Sequence, residues 1–454
     1  MPLRPSFNGK VRTSTPHRAG FAQELAAVSD SGARLFDEAF DAFCCRSDLP
    51  DFDYIGLHGI WSWISDDNRR VIVDFVRRRL KVGGVLYISY NTQPGWAAMV
   101  PMRDLLTEHA EVLGADGAGI VNRIDSALAF ADQLLAANPL FARANPQIAE
   151  RVKKIKEQNR HYVAHEYFNR DREPMSFAKM ADWLEPAKVQ WACSAHYLDA
   201  IDAINLTTEQ QELLKEIPDA MFRQTVRDFC VNQQFRKDYW VKGTRQMPAL
   251  EQAEALRSQR VILVQPMADV NMKVSGALGE ASLQEAVYRP ILTQLADHKP
   301  KTLGQLEQAL QKASLNFAQL LQAVIVLSGS GALSPVQDDA AIARTKKSTE
   351  RLNRHLMQKA RSTNDLGYLA SPVTGGGISV SRFHQLFLLA QLQGLKQASD
   401  WAQFAWSILS MQGQRLVKEG RALDTAEENL TELTAQATDF AQKQLPILKA
   451  LHIA

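Results

Sequence analysis

The sequence predicts an α/β protein whose partly parallel sheet lies in its first half and whose second half is helical. Three observations carry this. Residues 52–58 (FDYIGLH) and 85–89 (VLYIS) are short apolar runs of strand length, rich in β-branched and aromatic side chains. Between them, residues 66–81 place Val71, Ile72, Phe75 and Val76 on one helical face and Arg77, Arg78 and Arg79 on the other. Strand, helix and strand, with both strands apolar on both faces, make a right-handed parallel crossover. Beyond residue 283, apolar positions recur at helical rather than strand spacing.

In chain order, residues 21–28 read as a helix and 33–36 as a strand. After the strand 52–58, Asp66 and Asp67 put acids at the positive end of the next helix, and Gly83-Gly84 stops it before the strand 85–89. Residues 99–160 are helical and end in a basic stretch, RVKKIKE. The α/β pattern then returns, with a helix over 175–183, a strand over 189–195 and a helix over 219–230. Residues 235–241 (FRKDYWV) alternate in part and carry charge, which suits a half-exposed edge strand of the same sheet. A polar helical stretch, 245–260, marks a boundary. Next come a helix over 285–295, a second over 303–310 capped by Thr302, and a third over 316–328. SGSGALSPV then leads into a short strand, and three helices followed by a hairpin give a winged-helix pattern. The remainder is helical apart from a glycine-rich loop at 371–379. The expected divisions are 1–100, a partial sheet domain; 101–160, a helical insertion; 161–245, completing the sheet; 246–345, winged-helix-like; and 346–454, helical.

Composition excludes several classes. The 454 residues are 46% hydrophobic and 22% charged, the balance of a soluble globular chain. Lys and Arg number 52 against 50 Asp and Glu, a net charge of +2, so the whole molecule has no general attraction to nucleic acid or acidic membranes. The N-terminal stretch has no apolar core of a secretory signal, and no apolar run is long enough to span a bilayer; the expected location is cytoplasmic. Cys44, Cys45, Cys193 and Cys230 form no CxxC pair and are expected as buried reduced thiols.

In open parallel sheets, ligands bind beyond the carboxyl ends of the strands. Two such ends are legible, His58-Gly59-Ile60-Trp61-Ser62-Trp63 and Ser89-Tyr90-Asn91-Thr92-Gln93-Pro94-Gly95-Trp96. A polar residue, a glycine permitting close approach and nearby aromatics suit a heteroaromatic cofactor and a cationic substrate. In the plainer reading of the same residues, His58 and Asn91 cap helices and the tryptophans fill the core.

LPDFDYIGLHGIWSWI and LKVGGVLYISYNTQPGWAAMVPMRDLL resemble the later half of a class I S-adenosylmethionine-dependent methyltransferase. HYVAHEYFNRDREPMSFAKMADWL and VRDFCVNQQFRKDYWVKG are similar to the methyltransferase regulatory domain found in a bacterial subgroup that includes rickettsial outer-membrane-protein lysine methyltransferases. LGEASLQEAVYRPIL and ASPVTGGGISVSRFHQLFLLA resemble the C-terminal part of the same proteins. The likeness covers nearly everything from residue 16 onward. It implies an incomplete Rossmann-like class I methyltransferase sheet, S-adenosyl-L-methionine as cofactor, and a protein lysine as methyl acceptor. No metal, nucleic acid or membrane insertion is implied.

The family's first strand ends in an acidic glycine-rich loop, E/D-x-G-x-G-x-G, which receives the methionine end of the cofactor. Before Phe36 this sequence has only the scattered Gly9, Gly20 and Gly32, and residues 11–16 supply no acid for the ribose. The resemblance therefore implies a chain that begins near the family's second strand. Two readings follow: a methyltransferase acting on protein lysine, and a non-catalytic, protein-binding remnant whose sheet no longer holds cofactor. Carried over by resemblance, Glu38 meets the adenine amino group with Ala39 and Phe40 alongside. His58 and Gly59 end the fourth family strand, facing the reacting centre, and Tyr90 and Asn91 end the fifth. Methyl transfer is an in-line displacement at a sulfonium carbon, so positioning and a deprotonated nucleophile dominate. Tyr54, Tyr90 and His58 are the candidates to orient or deprotonate an amine.

Weaker patterns carry bland readings. His161 and His165, four apart and followed by Glu166, could share a helix face as metal ligands, but no third ligand sits at a matching offset. Lys153-Lys154-Ile155-Lys156 reads as a solvated helix face, and Gly375-Gly376-Gly377 as a turn. No basic residue lies between Lys312 and Arg344, so the winged-helix-like region has no cationic face for DNA and reads as a protein-interaction module.

Overall fold

The computed structural model describes residues 10–12, 16–114, 117–313 and 315–454, with side chains from residue 20 onward. Gly9 and the acid-free stretch 13–15 lie outside the described residues. The strands used below are β1 (Lys10–Arg12), β2 (Arg34–Phe36), β3 (Phe52–Leu57), β4 (Leu80–Asn91), β5 (Val189–Ser194), β6 (Phe235–Lys242) and β7 (Arg260–Leu263). The chain divides into two compact units. One holds residues up to 38 together with 247–274 and 280–454; the other holds 39–246 and 275–279.

The second unit is built on a mixed sheet of order β3-β4-β6-β5. β3 runs parallel to β4, with Gly56 opposite Tyr87 and Leu57 opposite Ile88, as the crossover pattern predicts. The crossover helix, Asp66–Arg79, starts on Ser65, whose hydroxyl accepts the Asn68 amide. Its buried positions Ile72, Val73, Phe75 and Val76 pack on the sheet face that carries Leu86, Ile88 and Tyr90. Phe177 and Trp240 complete that core, with their rings stacked 5.7 Å apart.

β6 corrects an expectation. It lies between β4 and β5, antiparallel to both, and is an inner strand rather than an edge. Its charges point to an exposed position only if they are unpaired, and here they are paired. Arg236 binds Asp228 at 2.6 Å and Asp238 at 2.8 Å, and all three are buried. The Tyr90 hydroxyl and the Trp191 indole N–H each donate to Asp238 at 3.1 Å. The other face of β4 corrects a second expectation, since it is not apolar throughout: Val85, Tyr87, Ser89 and Asn91 line it.

The buried triad makes stability depend on pH. One guanidinium faces two carboxylates, and Asp228 Oδ2 has no hydrogen-bond partner among the described residues. Burial therefore pushes the Asp228 carboxyl up, to about 6 from 3.8, although Arg236 pulls it down. The folded state then binds more protons than the unfolded state between these values, so stability falls as pH rises from about 4 to about 6. Urea unfolding across this window is expected to show that slope, and Asp228→Asn is expected to flatten it. Equal slopes in both proteins would reject the assignment.

The helical stretch after β4 forms as expected, as Val100–Val112, Ile120–Ala136, Leu140–Ala144, Gln147–Lys156 and Arg160–Tyr167. Its own core includes Met102, Leu106, Ile124, Leu128, Ile148, Val152 and Val163. Lys156 pairs with Asp132 on the solvated side.

In the first unit, β1 and β2 form a separate parallel pair, so the strand expected over 33–36 extends no larger sheet. The helix Pro16–Ser29 packs on the long helix Asp339–Lys359, where Glu24 meets Lys359 at 2.8 Å and His355 at 2.9 Å. The three helices predicted after residue 283 are present as Glu285–Leu295, Leu303–Ala309 and Phe317–Gly329. Thr302 and Asn316 cap the last two, each in a reciprocal box with the glutamine three residues on. Among the described residues no hairpin of consecutive strands follows them directly. Leu333–Pro335 instead pairs with β7, which also pairs with Lys301–Thr302. The glycine-rich loop is the turn between Tyr368–Ser371 and Gly376–Ser379.

Of the cysteines only Cys44 is buried, while Cys45 and Cys193 are exposed and Cys230 is intermediate, which corrects the expectation of four buried thiols. Among the described residues no helix is long and apolar enough to cross a membrane.

Candidate active site at the strand ends

The site is assembled where β3 and β4 end side by side. The chain leaves β3 through His58 and turns at Gly59, whose φ of +62° is a left-handed conformation that favours glycine. The Gly59 N–H donates to Ser89 Oγ at 2.8 Å, tying the exit of β3 to the end of β4. A Cβ at Gly59 would meet nothing within 4 Å, so the space beside this turn is open.

Tyr87 stands on the same face as Ser89. Its hydroxyl lies 2.9 Å from His58 Nδ1, and the two rings stack at 5.9 Å and 16°. Which of the two groups donates depends on the imidazole tautomer. Tyr54 leans over Gly56, where a Cβ would come within 3.2 Å of its ring, and Tyr239 tilts against Tyr87 at 5.7 Å. Burial pushes the Tyr54 hydroxyl up to about 12 and raises those of Tyr87 and Tyr239. All three phenols therefore stay protonated at neutral pH and offer hydrogen bonds and ring faces rather than bases. His58 supplies an imidazole nitrogen able to donate or accept a hydrogen bond there.

Asn91 is anchored from several sides. Its N–H donates to Ser62 Oγ at 2.8 Å, its carbonyl accepts the Met175 N–H at 3.0 Å, and its Nδ2 lies 3.5 Å from Glu166 Oε1. The Glu173 N–H binds the Ser62 carbonyl, so residues 166–175 fasten onto both strand ends. Burial raises the Glu166 carboxyl, and Arg172, 3.9 Å away, pulls it back. Arg172 is itself buried against the Trp96 ring, 3.9 Å from its centre, and burial lowers its guanidinium to about 10.

The structure thus ties His58 and Gly59 to Tyr87 and Ser89, with Tyr54 near Tyr87, and holds Asn91, two residues on, against Ser62 and Glu166. Tyr90 is elsewhere. It is 0% exposed, on the helix-packed face, and its hydroxyl donates to Asp238. The period of two along β4 forces this: Ser89 and Asn91 face the site, so Tyr90 between them cannot. Its expected catalytic role is replaced by a structural one. Ala39 precedes the short helix Phe40–Cys44 in the same unit, and Glu38 belongs to the other unit. Tyr87 escaped sequence reasoning, and the alternation in VLYISYN was its available signal. Ser62 and Ser89 were named at the strand ends and Glu166 beside the histidine pair, but none of them with this role. His165 stacks on Trp63 at 5.5 Å, and no metal-binding cluster occurs among the described residues.

Comparison with known proteins adds the family. Residues 159–242 match the family described as a predicted methyltransferase regulatory domain. The uncharacterized protein sll1526 of Synechocystis sp. is 41% identical over 434 residues, spanning 95% of this chain and 84% of that protein. Uncharacterized protein RP789 of Rickettsia prowazekii is 27% identical over 201 residues, covering 42% of this chain and 35% of that one. Among solved structures, PKMT2 from Rickettsia typhi in complex with AdoHcy matches with a TM-score of 0.66 and 17% identity, over 98% of this chain and 89% of PKMT2. The mixed sheet and helices above share that fold. The chain belongs to one family with the Synechocystis protein along nearly its whole length, and its residues 159–242 carry the predicted methyltransferase regulatory domain.

Proposed function

We propose that this chain moves a methyl group from S-adenosylmethionine to a lysine amine of a protein, as a cytoplasmic enzyme. The observation that carries this reading is the tying of the two strand ends together beside the open side of Gly59, with His58 on Tyr87, the Gly59 N–H on Ser89 and the Asn91 N–H on Ser62. The AdoHcy held by PKMT2, the product left after S-adenosylmethionine gives up its methyl group, supports the choice of cofactor. When bound, the cofactor supplies an electrophilic methyl carbon. His58, Gly59 and Asn91 would border it, with Ala39 toward the adenine, and the open side of Gly59 fits a ligand approaching the backbone. The rings of Tyr54 and Tyr87 favour a cationic side chain, and His58 would take the ammonium proton so that the amine can attack. Exposed thiols at Cys45 and Cys193 suit a reducing compartment. The three helices with β7 and its partners serve, in this reading, as a winged-helix-like module that presents protein.

The second reading is a protein-binding remnant without catalysis. It is favoured by the pairing of β1 with β2 as a two-stranded sheet among the described residues. Calorimetric titration with AdoHcy separates the two. Saturable binding at micromolar concentration is expected, weakened in His58→Ala. A folded protein that gives no heat would sink the enzymatic reading.

A further inference from the structure

The helix Asp339–Lys359 uses its cations unequally. Toward the helix Pro16–Ser29 they are paired: Lys359 meets Glu24, and Arg351 meets Asp30 at 3.2 Å. Lys346 and Arg354 are eight apart, with Glu350 midway, and line one side of the helix at helical spacing. Beside them opens a cavity of about 550 Å³, the size of a small-ligand site. Its floor is apolar and buried, made by Met357, Leu388 and Ile453. Its rim carries Lys346, Arg354 and Lys449, and among the described residues none of the three has an ion-pair partner. The acidic side chain at the cavity is Glu350, so cations prevail. The wall is held in place by Asn353, which is buried and bound twice to the Ala370 backbone at 2.8 and 2.7 Å.

We propose that this cavity binds a small amphiphile, its phosphate or carboxylate head held by Lys346, Arg354 and Lys449 and its apolar body laid on Met357, Leu388 and Ile453. Unpaired cations around a dry floor favour such a molecule over a plain anion, which leaves the floor unused, and over a neutral apolar one, which leaves the cations unmatched. An acidic peptide would meet the rim but not fill the floor. The site is independent of the strand ends and of the proposed methyl transfer.

The test is titration of the full chain with octyl phosphate, octanoate, octanol and inorganic phosphate. One or both of the first two are expected to bind below about 1 mM, and the tighter identifies the head. Octanol and inorganic phosphate are expected to bind at least about tenfold more weakly. Lys346→Ala with Arg354→Ala is expected to weaken the amphiphile about tenfold or more, the loss of charge-assisted contacts. Both positions are exposed, so the melting temperature and the AdoHcy titration should not move. Leu392→Ser, at an exposed lining residue, is expected to weaken octyl phosphate without affecting inorganic phosphate. The proposal is overturned by equal affinity in the charge variant, by inorganic phosphate binding as well as octyl phosphate, or by no binding of either amphiphile at that concentration.

Discussion

Replacing Arg236 with methionine is expected to destabilise the protein by about 3–5 kcal/mol, the cost of breaking a buried ion network from one side. Methionine fills much of the space, so the loss is electrostatic rather than a cavity effect. It leaves Asp228 and Asp238 facing each other in the core, where Asp238 is 0% exposed and already accepts from Tyr90 and Trp191. It also removes the guanidinium lying 4.4 Å over the Phe177 ring. The loss should not be additive. Asp228→Asn placed on top of Arg236→Met removes one of the two stranded charges and is expected to recover part of the stability. Urea unfolding of the wild type, both single variants and the double variant measures this. A single-variant loss under about 1 kcal/mol would mean that the carboxylates are hydrated and the triad is not a core element.

Gly95→Ala is expected to cost about 1–3 kcal/mol and to weaken AdoHcy binding at the same time. Gly95 sits where the turn after β4 presses on the backbone leading into β6, with its N–H on the Gln233 carbonyl at 2.9 Å. A Cβ there would lie 2.5 Å from that carbonyl oxygen and 2.4 Å from Gln234 Cγ. The glutamine side chain can move, but the carbonyl cannot without giving up the Gly95 contact and the neighbouring Thr92-to-Gln234 bond. The displaced turn carries Asn91 on one side and Trp96 on the other, which is why binding should suffer together with stability. Gly20→Ala is the control: at an exposed helix position with nothing within 4 Å, it should be neutral or stabilising. A Gly95→Ala protein as stable as wild type would show that the turn relaxes freely.

Much of the fold was legible along the chain because its signals are local. The crossover helix was set by Asp66, Asp67 and the apolar face around Phe75. The caps at Thr302 and Asn316 sit where short polar residues precede apolar helical runs. The strand ends at His58 and Asn91 were found because ligand positions in such sheets follow from strand direction alone. Tyr90 was misplaced for want of the period of two: a strand counted as apolar on both faces gives no reason to send Tyr87 and Tyr90 opposite ways. β6 was misplaced because Arg236 and Asp238 look solvent-seeking in one dimension, and the second carboxylate of Arg236, Asp228, is known only once the strand lies against the helix Ala220–Cys230.

The sequence by itself determined the α/β class, the order and caps of the main elements, the two strand ends, and a resemblance confirmed at the level of family. Only the tertiary structure decided which strands are neighbours: β6 between β4 and β5, β1 with β2 apart, and Leu333–Pro335 against β7. It also decided which face each tyrosine occupies and that residues 166–175 lock onto the site. The physical reason is range. Periodicity and capping record interactions within a few residues, whereas strand pairing and charge burial depend on partners such as Tyr90 and Asp238, 148 positions apart.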